Sequence, residues 1–269
     1  MTEVELDSDA VRLALDDGVA TVTLDAPAVR NALTVEVTAG VREALDSLPD
    51  ETRCVVVRGS DAAGAFCAGG DVNAMVELQA DAMTLPEAVD HVVRDTADCV
   101  RRVYECDLPT VAAIDGPAVG AGGALAIACD LQLLREDASV SFGFRRVGLA
   151  VDSGLSYLLP RLVGRNVAME LVYTGEKLGP ERALELGVVN RVAGEDEFEA
   201  ELDALTERIA GGPTKALTAS KRLLRRPDDS IEAAIEHEAS AQAVLFETDD
   251  HAEGVESFMA RREPEFEGQ

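Results

Sequence analysis

The sequence contains no tryptophan, and aromatic residues of all kinds make up only 4% of its 269 residues. Hydrophobic residues still account for 47%, so the core must be built mainly from Val, Leu, Ile and Ala, as in layered α/β proteins. A chain of this length forms one large domain or one domain with an appendage. Its longest apolar stretch, residues 111–129, is broken by Asp115, Pro117 and several glycines, which excludes a membrane-spanning helix.

Histidine and cysteine are also scarce. The three histidines, His91, His237 and His251, lie in acidic helical sequence away from any glycine-rich turn, so we expect them at the surface. The sequence contains neither a Gly-x-Ser-x-Gly motif nor a phosphate-binding Gly-x-x-x-x-Gly-Lys motif. It also has no residues at a spacing typical of metal ligands, so no bound metal is expected. Five cysteines in apolar surroundings without a Cys-x-x-Cys pair predict buried thiols in a reducing compartment. They are Cys54, Cys67, Cys99, Cys106 and Cys129.

Basic residues are outnumbered by acidic ones, 24 against 51, which gives a net charge of −27. Such a surface repels nucleic-acid phosphates and anionic headgroups, so we expect no nucleic acid and no membrane as partner. The charge is spread along the chain, which favours a solvated surface in a salt-rich cytoplasm over an acidic interaction tail. Residues 1–9 lack the hydrophobic segment of a secretory signal, so a cytoplasmic location is expected.

Apolar periodicity predicts a parallel, layered α/β core. Short alternating or apolar runs predict β-strands at residues 19–24, 54–58, 110–114, 131–134 and 139–142. Helical spacing covers residues 34–48, and a long helical region ends near Cys106. From about Glu195 the sequence predicts three or four acidic amphipathic helices, with turns at residues 211–213 and 226–229, that pack on the core or on another subunit.

Two glycine-rich turns, 64-GAFCAGGD-71 and 116-GPAVGAGGALA-126, follow predicted strands about fifty residues apart. Glycine lets backbone N–H groups approach a ligand closely, and two N–H groups that converge on one oxygen form an oxyanion hole. Each turn by itself is better explained as an ordinary strand-to-helix connection that needs glycine for steric reasons. The stretch 120-GAGGA-124 also leaves open an NAD-linked oxidoreductase on a doubly wound sheet, although the third glycine of that fingerprint is absent.

Taken together, the motifs resemble the crotonase (enoyl-CoA hydratase/isomerase) superfamily over nearly the whole chain. They are 66-FCAGGD-71, 110-TVAAIDGPAVGAGGALAIACD-130, Asn31-Ala32-Leu33 and 254-GVESFMARREPEF-266. The resemblance implies an α/β fold, a crotonase-like spiral of repeated strand-strand-helix turns over residues 1–195, followed by a C-terminal helical trimerisation region over residues 196–269. It implies a homotrimer or a dimer of trimers that acts on an acyl-CoA, with coenzyme A entering as part of the thioester substrate and no covalently bound cofactor.

The resemblance also implies roles for particular residues. The oxyanion donors fall on the backbone N–H groups of Gly70 and Ala121. The coenzyme A moiety is expected against Arg30, Ala32, Ala68, Gly70, Asp71, Val72 and Arg261. For Arg30 and Arg261, a surface salt bridge is an equally good interpretation.

The two glutamates of the superfamily's hydratases correspond to Ala124 and Arg146, so neither hydratase carboxylate is present. The segment 142-FGFRRVGLAVDSGLSYLLPRLVG-164 instead resembles the subgroup of 2-(1,2-epoxy-1,2-dihydrophenyl)acetyl-CoA isomerase and some Δ3,Δ2-enoyl-CoA isomerases. There Asp152 corresponds to the acid/base, although its sequence position also suits an N-cap for a helix that begins at Ser153. We therefore expect an isomerase. The alternatives are a hydratase of weak or atypical activity and a non-catalytic acyl-CoA binder.

The charge by itself generates a prediction. At ~0.1 M salt the Debye length is about 10 Å, whereas at ~1 M it is about 3 Å, so molar salt screens most repulsion between neighbouring surface carboxylates. We expect the melting temperature to rise as KCl increases from dilute to molar concentration. Thermal melts over a KCl series measure this, and a midpoint that stays flat or falls would contradict the salt-adapted interpretation.

Overall fold

The predicted strands form as expected and are joined by several short ones that the periodicity did not predict. The computed structural model describes residues 1–227 and 230–269. Its strands are β1 (Thr2–Val4), β2 (Val11–Asp16), β3 (Val19–Leu24), β4 (Cys54–Gly59), β5 (Thr110–Ile114), β6 (Pro117–Val119), β7 (Leu131–Arg135), β8 (Ser139–Ser141), β9 (Lys177–Leu178) and β10 (Arg191–Ala193). The unpredicted strands are β1, β2, β6, β9 and β10, and most of them are too short to show a periodic pattern.

The predicted helical regions are also present. The α-helices are α1 (Val35–Asp46), α2 (Val72–Gln79), α3 (Leu85–Asp90), α4 (Ala97–Glu105), α5 (Ala121–Ala128), α6 (Leu155–Val163), α7 (Arg165–Thr174), α8 (Pro180–Glu185), α9 (Phe198–Ala210), α10 (Thr214–Arg225), α11 (Ile231–Leu245) and α12 (Asp249–Ala260). The long region that ends near Cys106 divides into α2, α3, a π-helical segment His91–Thr96 and α4. Of the predicted turn at 226–229, Asp228 and Asp229 lie outside the described residues. No helix in the described ranges is long and apolar enough to cross a membrane.

The strands build two sheets that are stacked along a spiral. The larger sheet has the order β1-β2-β3-β4-β5-β7-β10, with parallel pairing from β3 onward, and the smaller has the order β6-β8-β9. Single parallel bridges, Leu33 to Gly70 and Cys67 to Ala118, continue the smaller sheet into earlier turns of the chain. Each turn of the spiral therefore contributes a long strand, a short strand or bridge, and a helix, as the fold prediction required.

The larger sheet is covered on both faces. Along β4, Val55 and Val57 join the main core, whereas Cys54 and Val56 join a second cluster with Phe198 and Leu202 of α9. Successive side chains of a strand point to opposite faces, so a continuous apolar run is what a strand covered on both faces requires. Helix α9 of the C-terminal region thus packs directly on the sheet.

Two acidic residues near the glycine-rich turns stabilise the fold. The side chain of Asp130 accepts hydrogen bonds from the amide and hydroxyl of Thr110 and forms ion pairs with Lys221 and Arg225 of α10. The half-buried Asp115 pairs with Arg58 at 3.1 Å. Both carboxylates are therefore held by cations, and both have structural roles.

The two glycine-rich turns lie against each other. The amide of Cys67 donates to Pro117 O (3.2 Å), and the amide of Val119 donates to Cys67 O (3.0 Å). Helix α5 then begins so close to the first turn that a Cβ at Gly122 would lie 2.3 Å from Cys67 O. The two turns can therefore lie this close only because residue 122 is a glycine.

The close approach of Gly122 to Cys67 predicts the effect of adding one methyl group at position 122. Gly122→Ala should lower the free energy of unfolding by about 1–3 kcal/mol, the usual cost of overpacking a core. Urea unfolding measures the change. Gly254→Ala is a matched control because Gly254 also lies within a helix, but its added Cβ would make only ordinary contacts of 3.6 Å and longer with Phe266. The control should be neutral or gain up to about 1 kcal/mol from helix propensity, and equal effects of both variants would contradict the packing argument.

Candidate active site

A cavity of about 520 Å³ opens beside the paired glycine-rich turns. Its wall combines residues 68–72 and 119–121 of the turns, side chains from the helical region 72–96, and the segment 143–152. The wall is mostly apolar, with a few polar groups, and the volume lies within the range of small-molecule sites.

Gly70 and Ala121, the two predicted oxyanion donors, both line this cavity. In the described part of the chain, neither amide donates to a backbone carbonyl. Ala121 is the first residue of α5, where an amide has no partner inside its helix and the positive end of the helix dipole is strongest. The structure thus brings two free N–H groups to one cavity, as an oxyanion hole requires.

The approach of the two turns needs unusual backbone geometry at two further glycines. Gly69 has φ +115°, and a Cβ there would lie 2.9 Å from Val119 O. Gly120, the residue before α5, has φ +55° and ψ −117°. Other residues rarely adopt these angles, so the glycines allow each turn to present its next amide to the cavity.

Asp152 also lines the cavity, and it is not a helix N-cap. Helix α6 begins at Leu155 rather than Ser153, because Ser153 (φ +53°) and Gly154 (φ +74°) are both left-handed. The side chain of Asp152 accepts a hydrogen bond from Ser153 Oγ at 2.7 Å. The N-cap interpretation is therefore wrong, and the half-buried carboxylate is available to a ligand.

The environment of Asp152 favours its protonated form. Burial raises the pKa of this carboxyl, and the hydrogen bond from Ser153 lowers it by less. No cation contributes to the shift, whereas Arg58 lowers the pKa of Asp115 in part. A carboxyl whose pKa is raised by burial takes up a proton more readily than an ordinary aspartate, which suits it to accept and return protons.

The two positions that correspond to hydratase glutamates have different surroundings. Ala124 is fully buried inside α5 and does not line the cavity. Arg146 does line it, and its guanidinium donates to Gly175 O at 3.0 Å. Asp71, the other carboxylate in the wall, caps α2 by accepting from Asn73 N at 2.9 Å.

His91 was expected at the surface, and that expectation is wrong. It lines the cavity with only 13% of its side chain exposed. Its Nδ1 lies 3.0 Å from Asp95 Oδ2, while its buried Nε2 has no hydrogen-bond partner among the described residues. The spacing of His91 and Asp95, one helical turn apart, was the sequence signal that could have revealed the pair.

The residues predicted to contact coenzyme A fall into two groups. Ala68, Gly70, Asp71 and Val72 line the cavity, whereas Arg30, Ala32 and Arg261 do not. Arg30 nevertheless touches the first glycine-rich turn, because its guanidinium donates to Gly64 O (3.0 Å) and its carbonyl accepts from Ala68 N (3.0 Å). Arg261 ends α12. The coenzyme A contacts of all these residues stay a prediction.

The side chain of Asn31 connects the loop before it to the first glycine-rich turn, a role that its sequence motif does not indicate. The fully buried side chain accepts from Ala26 N (2.9 Å) and donates to Ala65 O (3.0 Å). Asn31 has φ +57°, a conformation that asparagine tolerates better than most residues. It therefore joins the preceding loop to the first glycine-rich turn and helps to hold Gly70 in place.

No cysteine of the described residues lines the cavity, and cysteine chemistry is disfavoured beside it. All five cysteines are free thiols, four of them buried, as predicted. Burial raises the pKa of Cys67, beside the first turn, to about 12, so its nucleophilic thiolate is hardly populated. Among residues 1–227 and 230–269, no three metal-ligating side chains converge.

Comparison with known proteins agrees with this geometry. The family model for enoyl-CoA hydratase/isomerase matches residues 15–269. A protein named probable enoyl-CoA hydratase from Rhodobacter capsulatus is 33% identical over 260 residues, which cover 96% of this chain and 98% of that protein. The 1,2-epoxyphenylacetyl-CoA isomerase of Escherichia coli K12 is 31% identical over 258 residues, 94% of this chain and 97% of its own.

A solved structure shows the same fold. The crystal structure of an enoyl-CoA hydratase from Mycobacterium smegmatis matches with a TM-score of 0.87 and 30% identity, and the match covers 96% of this chain and 99% of that one. The spiral of strand-strand-helix turns, the paired glycine-rich turns and the matches along almost the whole sequence lead to one conclusion. The chain is an enzyme of the enoyl-CoA hydratase/isomerase family.

Proposed function

We propose that this enzyme isomerises an enoyl-CoA, or a ring-epoxyphenylacetyl-CoA-like thioester, through a thioester enolate. The observation that carries the proposal is that Asp152, a carboxylate with neither a cation partner nor a helix-capping role among the described residues, lines the same cavity as Gly70 and Ala121. The positions that would supply a hydratase with its two glutamates hold Ala124 and Arg146.

The thioester oxygen would bind between the N–H groups of Gly70 and Ala121. Removing a proton from the carbon beside the carbonyl moves negative charge onto this oxygen. Two preorganised donors stabilise that charge in a water-poor site, and a donor of this kind contributes about 10²–10³ in rate. The dipole of α5 adds to the stabilisation because Ala121 is its first residue.

Asp152 would move the proton. Its carboxylate takes the proton from the α carbon of a 3-enoyl thioester, and the C–H electron pair enters the conjugated dienolate. The resulting carboxylic acid returns the proton to the γ carbon, which leaves a 2-enoyl thioester and regenerates the carboxylate. No water is consumed, so one acid/base group with a raised pKa is sufficient.

Hydration of a 2-enoyl-CoA is the second candidate, and the hydratase names of relatives such as the one from Rhodobacter capsulatus favour it. Water addition requires one group to activate the water and another to protonate the α carbon. With Arg146 and Ala124 at the usual carboxylate positions, we expect this activity to be weak. A non-catalytic acyl-CoA binder is the third candidate and predicts no turnover at all.

We also propose that the protein is a homotrimer or a dimer of trimers. Apolar side chains on α11 and α12 are exposed in the single chain, among them Ile231, Ile235, Phe258 and Met259. Large exposed apolar groups near one another mark association surfaces, and this region is the predicted trimerisation region.

Asp152→Asn tests the proposed acid/base. The variant should keep its fold and its affinity for acyl-CoA but lose roughly 10²–10⁴-fold in isomerase turnover, because the amide cannot accept the proton. Turnover is followed as conversion of a 3-enoyl-CoA to its conjugated isomer, with proton NMR in deuterated buffer to locate the exchanged hydrogen. The exposed Asp61 provides a control, Asp61→Asn, with the same charge change. Isomerisation by Asp152→Asn near the wild-type rate would overturn the assignment, and net water addition at a comparable rate would favour the hydratase.

The raised pKa of Asp152 predicts a gain in stability for the same variant. The folded protein binds a proton on Asp152 more tightly than the unfolded chain does. The stability gained from this proton is fully present below the unfolded pKa and is lost as pH rises through the folded pKa. At neutral pH the ionised carboxylate therefore opposes folding. Asp152→Asn should melt at a higher temperature than wild type at pH 7–8, and the difference should shrink towards acid pH.

A second aspartate gives the control of opposite sign. A hydrogen bond from Arg101 lowers the pKa of Asp98, so Asp98→Asn should lose stability at neutral pH although it removes the same charge. Melting curves of both variants across a pH series distinguish local environment from general charge repulsion. Similar gains in both variants would show that repulsion alone sets the result.

A further inference from the structure

His91 is oriented from one side by a short chain of charged groups. Its Nδ1 lies 3.0 Å from Asp95 Oδ2, and Asp95 Oδ1 lies 3.6 Å from the guanidinium of Arg42 on α1. That guanidinium also donates to Arg94 O at 2.8 Å. A carboxylate at Nδ1 fixes the ring and leaves Nε2 as the atom available to another group. The pair lies in the π-helical segment, a helix type that occurs frequently at functional sites.

The other ring nitrogen is unsatisfied. Nε2 of His91 is buried and has no hydrogen-bond partner among the described residues. The neighbouring part of the cavity wall is apolar, with Met75, Leu78 and Val89. A buried polar atom without a partner is costly, and in native proteins it commonly marks a place that water or a ligand completes.

We infer that His91 Nε2 accepts a hydrogen bond from a hydroxyl carried by the acyl group, so that the enzyme selects hydroxylated acyl thioesters over plain hydrocarbon ones. This inference rests on the proposed function, because it assumes that the acyl group occupies the cavity that holds Gly70, Ala121 and Asp152. With Nδ1–H donating to Asp95, Nε2 of the neutral ring is an acceptor. A hydroxyl can therefore donate to Nε2, whereas a hydrocarbon chain leaves it buried and unpaired. Sites built around a hydrogen bond discriminate strongly against ligands that lack the matching atom.

The selection is measured by binding, without turnover. Isothermal titration of the full-length protein would use two matched series of thioesters without a movable double bond: phenylacetyl-CoA with its meta- and para-hydroxy derivatives, and hexanoyl-CoA with its 5-hydroxy and 6-hydroxy derivatives. At least one hydroxylated ligand should bind about five- to tenfold more tightly than its hydrocarbon parent, as expected for one added hydrogen bond. If both parents bind as tightly as all their derivatives, the inference is wrong.

Substitutions assign the preference to His91. His91→Phe keeps an aromatic ring but removes Nε2, so the ratio of affinities should fall to about one while the parent thioesters bind as before. His91→Gln places an amide near the position of Nε2 and should keep part of the preference. An equal loss of affinity for every ligand in His91→Phe would indicate a structural role only and would overturn the inference.

The outcomes separate this inference from the proposed isomerase. These thioesters contain no movable double bond, so a binding preference that depends on His91 can be present whatever Asp152→Asn does to turnover. Conversely, an active isomerase without any preference would retain the proposed function and reject the role of His91.

Discussion

The structure depends on the backbone pairing of two glycine-rich turns that are far apart in sequence. Hydrogen bonds between Cys67 and both Pro117 and Val119 hold the turns side by side. Gly122 allows this approach because any side chain there would collide with Cys67. Once the turns are in place, Gly70 and Ala121 line one cavity, and their amides donate to no backbone carbonyl of the described residues. The position of these donors is thus a consequence of packing in the spiral core rather than of either loop alone.

Asp152 illustrates how the site differs from the rest of the fold. Asp115 and Asp130 are also shielded from water, but each is paired with a cation that keeps a charged carboxylate acceptable. Among the described residues, the side chain of Asp152 has only the hydroxyl of Ser153 as a hydrogen-bond partner. Burial raises the pKa of both Asp152 and Asp115, but only at Asp115 does a nearby cation, Arg58, lower it in part. Such a carboxyl lowers stability at neutral pH, and the same feature suits it to proton transfer.

The wall opposite the turns adds a second polar contact to a mainly apolar cavity. It is formed by the broken helical region 72–96, in which Asp95 holds the ring of His91, a residue of the cavity wall. Two functions are thereby divided between two parts of the chain. The glycine-rich turns would bind the thioester oxygen common to all substrates, whereas the helical wall would distinguish one acyl group from another.

The sequence by itself determined the strands β3, β4, β5, β7 and β8, the helix α1 and the two glycine-rich turns, because apolar periodicity and glycine are local signals. The motifs also identified Gly70, Ala121 and Asp152, all of which line the cavity. Tertiary structure decided three further points. The short strands β9 and β10 depend on pairing with distant segments, and Asp152 is released from a capping role because Ser153 and Gly154 delay the start of α6 to Leu155. His91 faces the cavity because the π-helical turn and packing against α1 set its direction, and neither is encoded by the acidic residues around it.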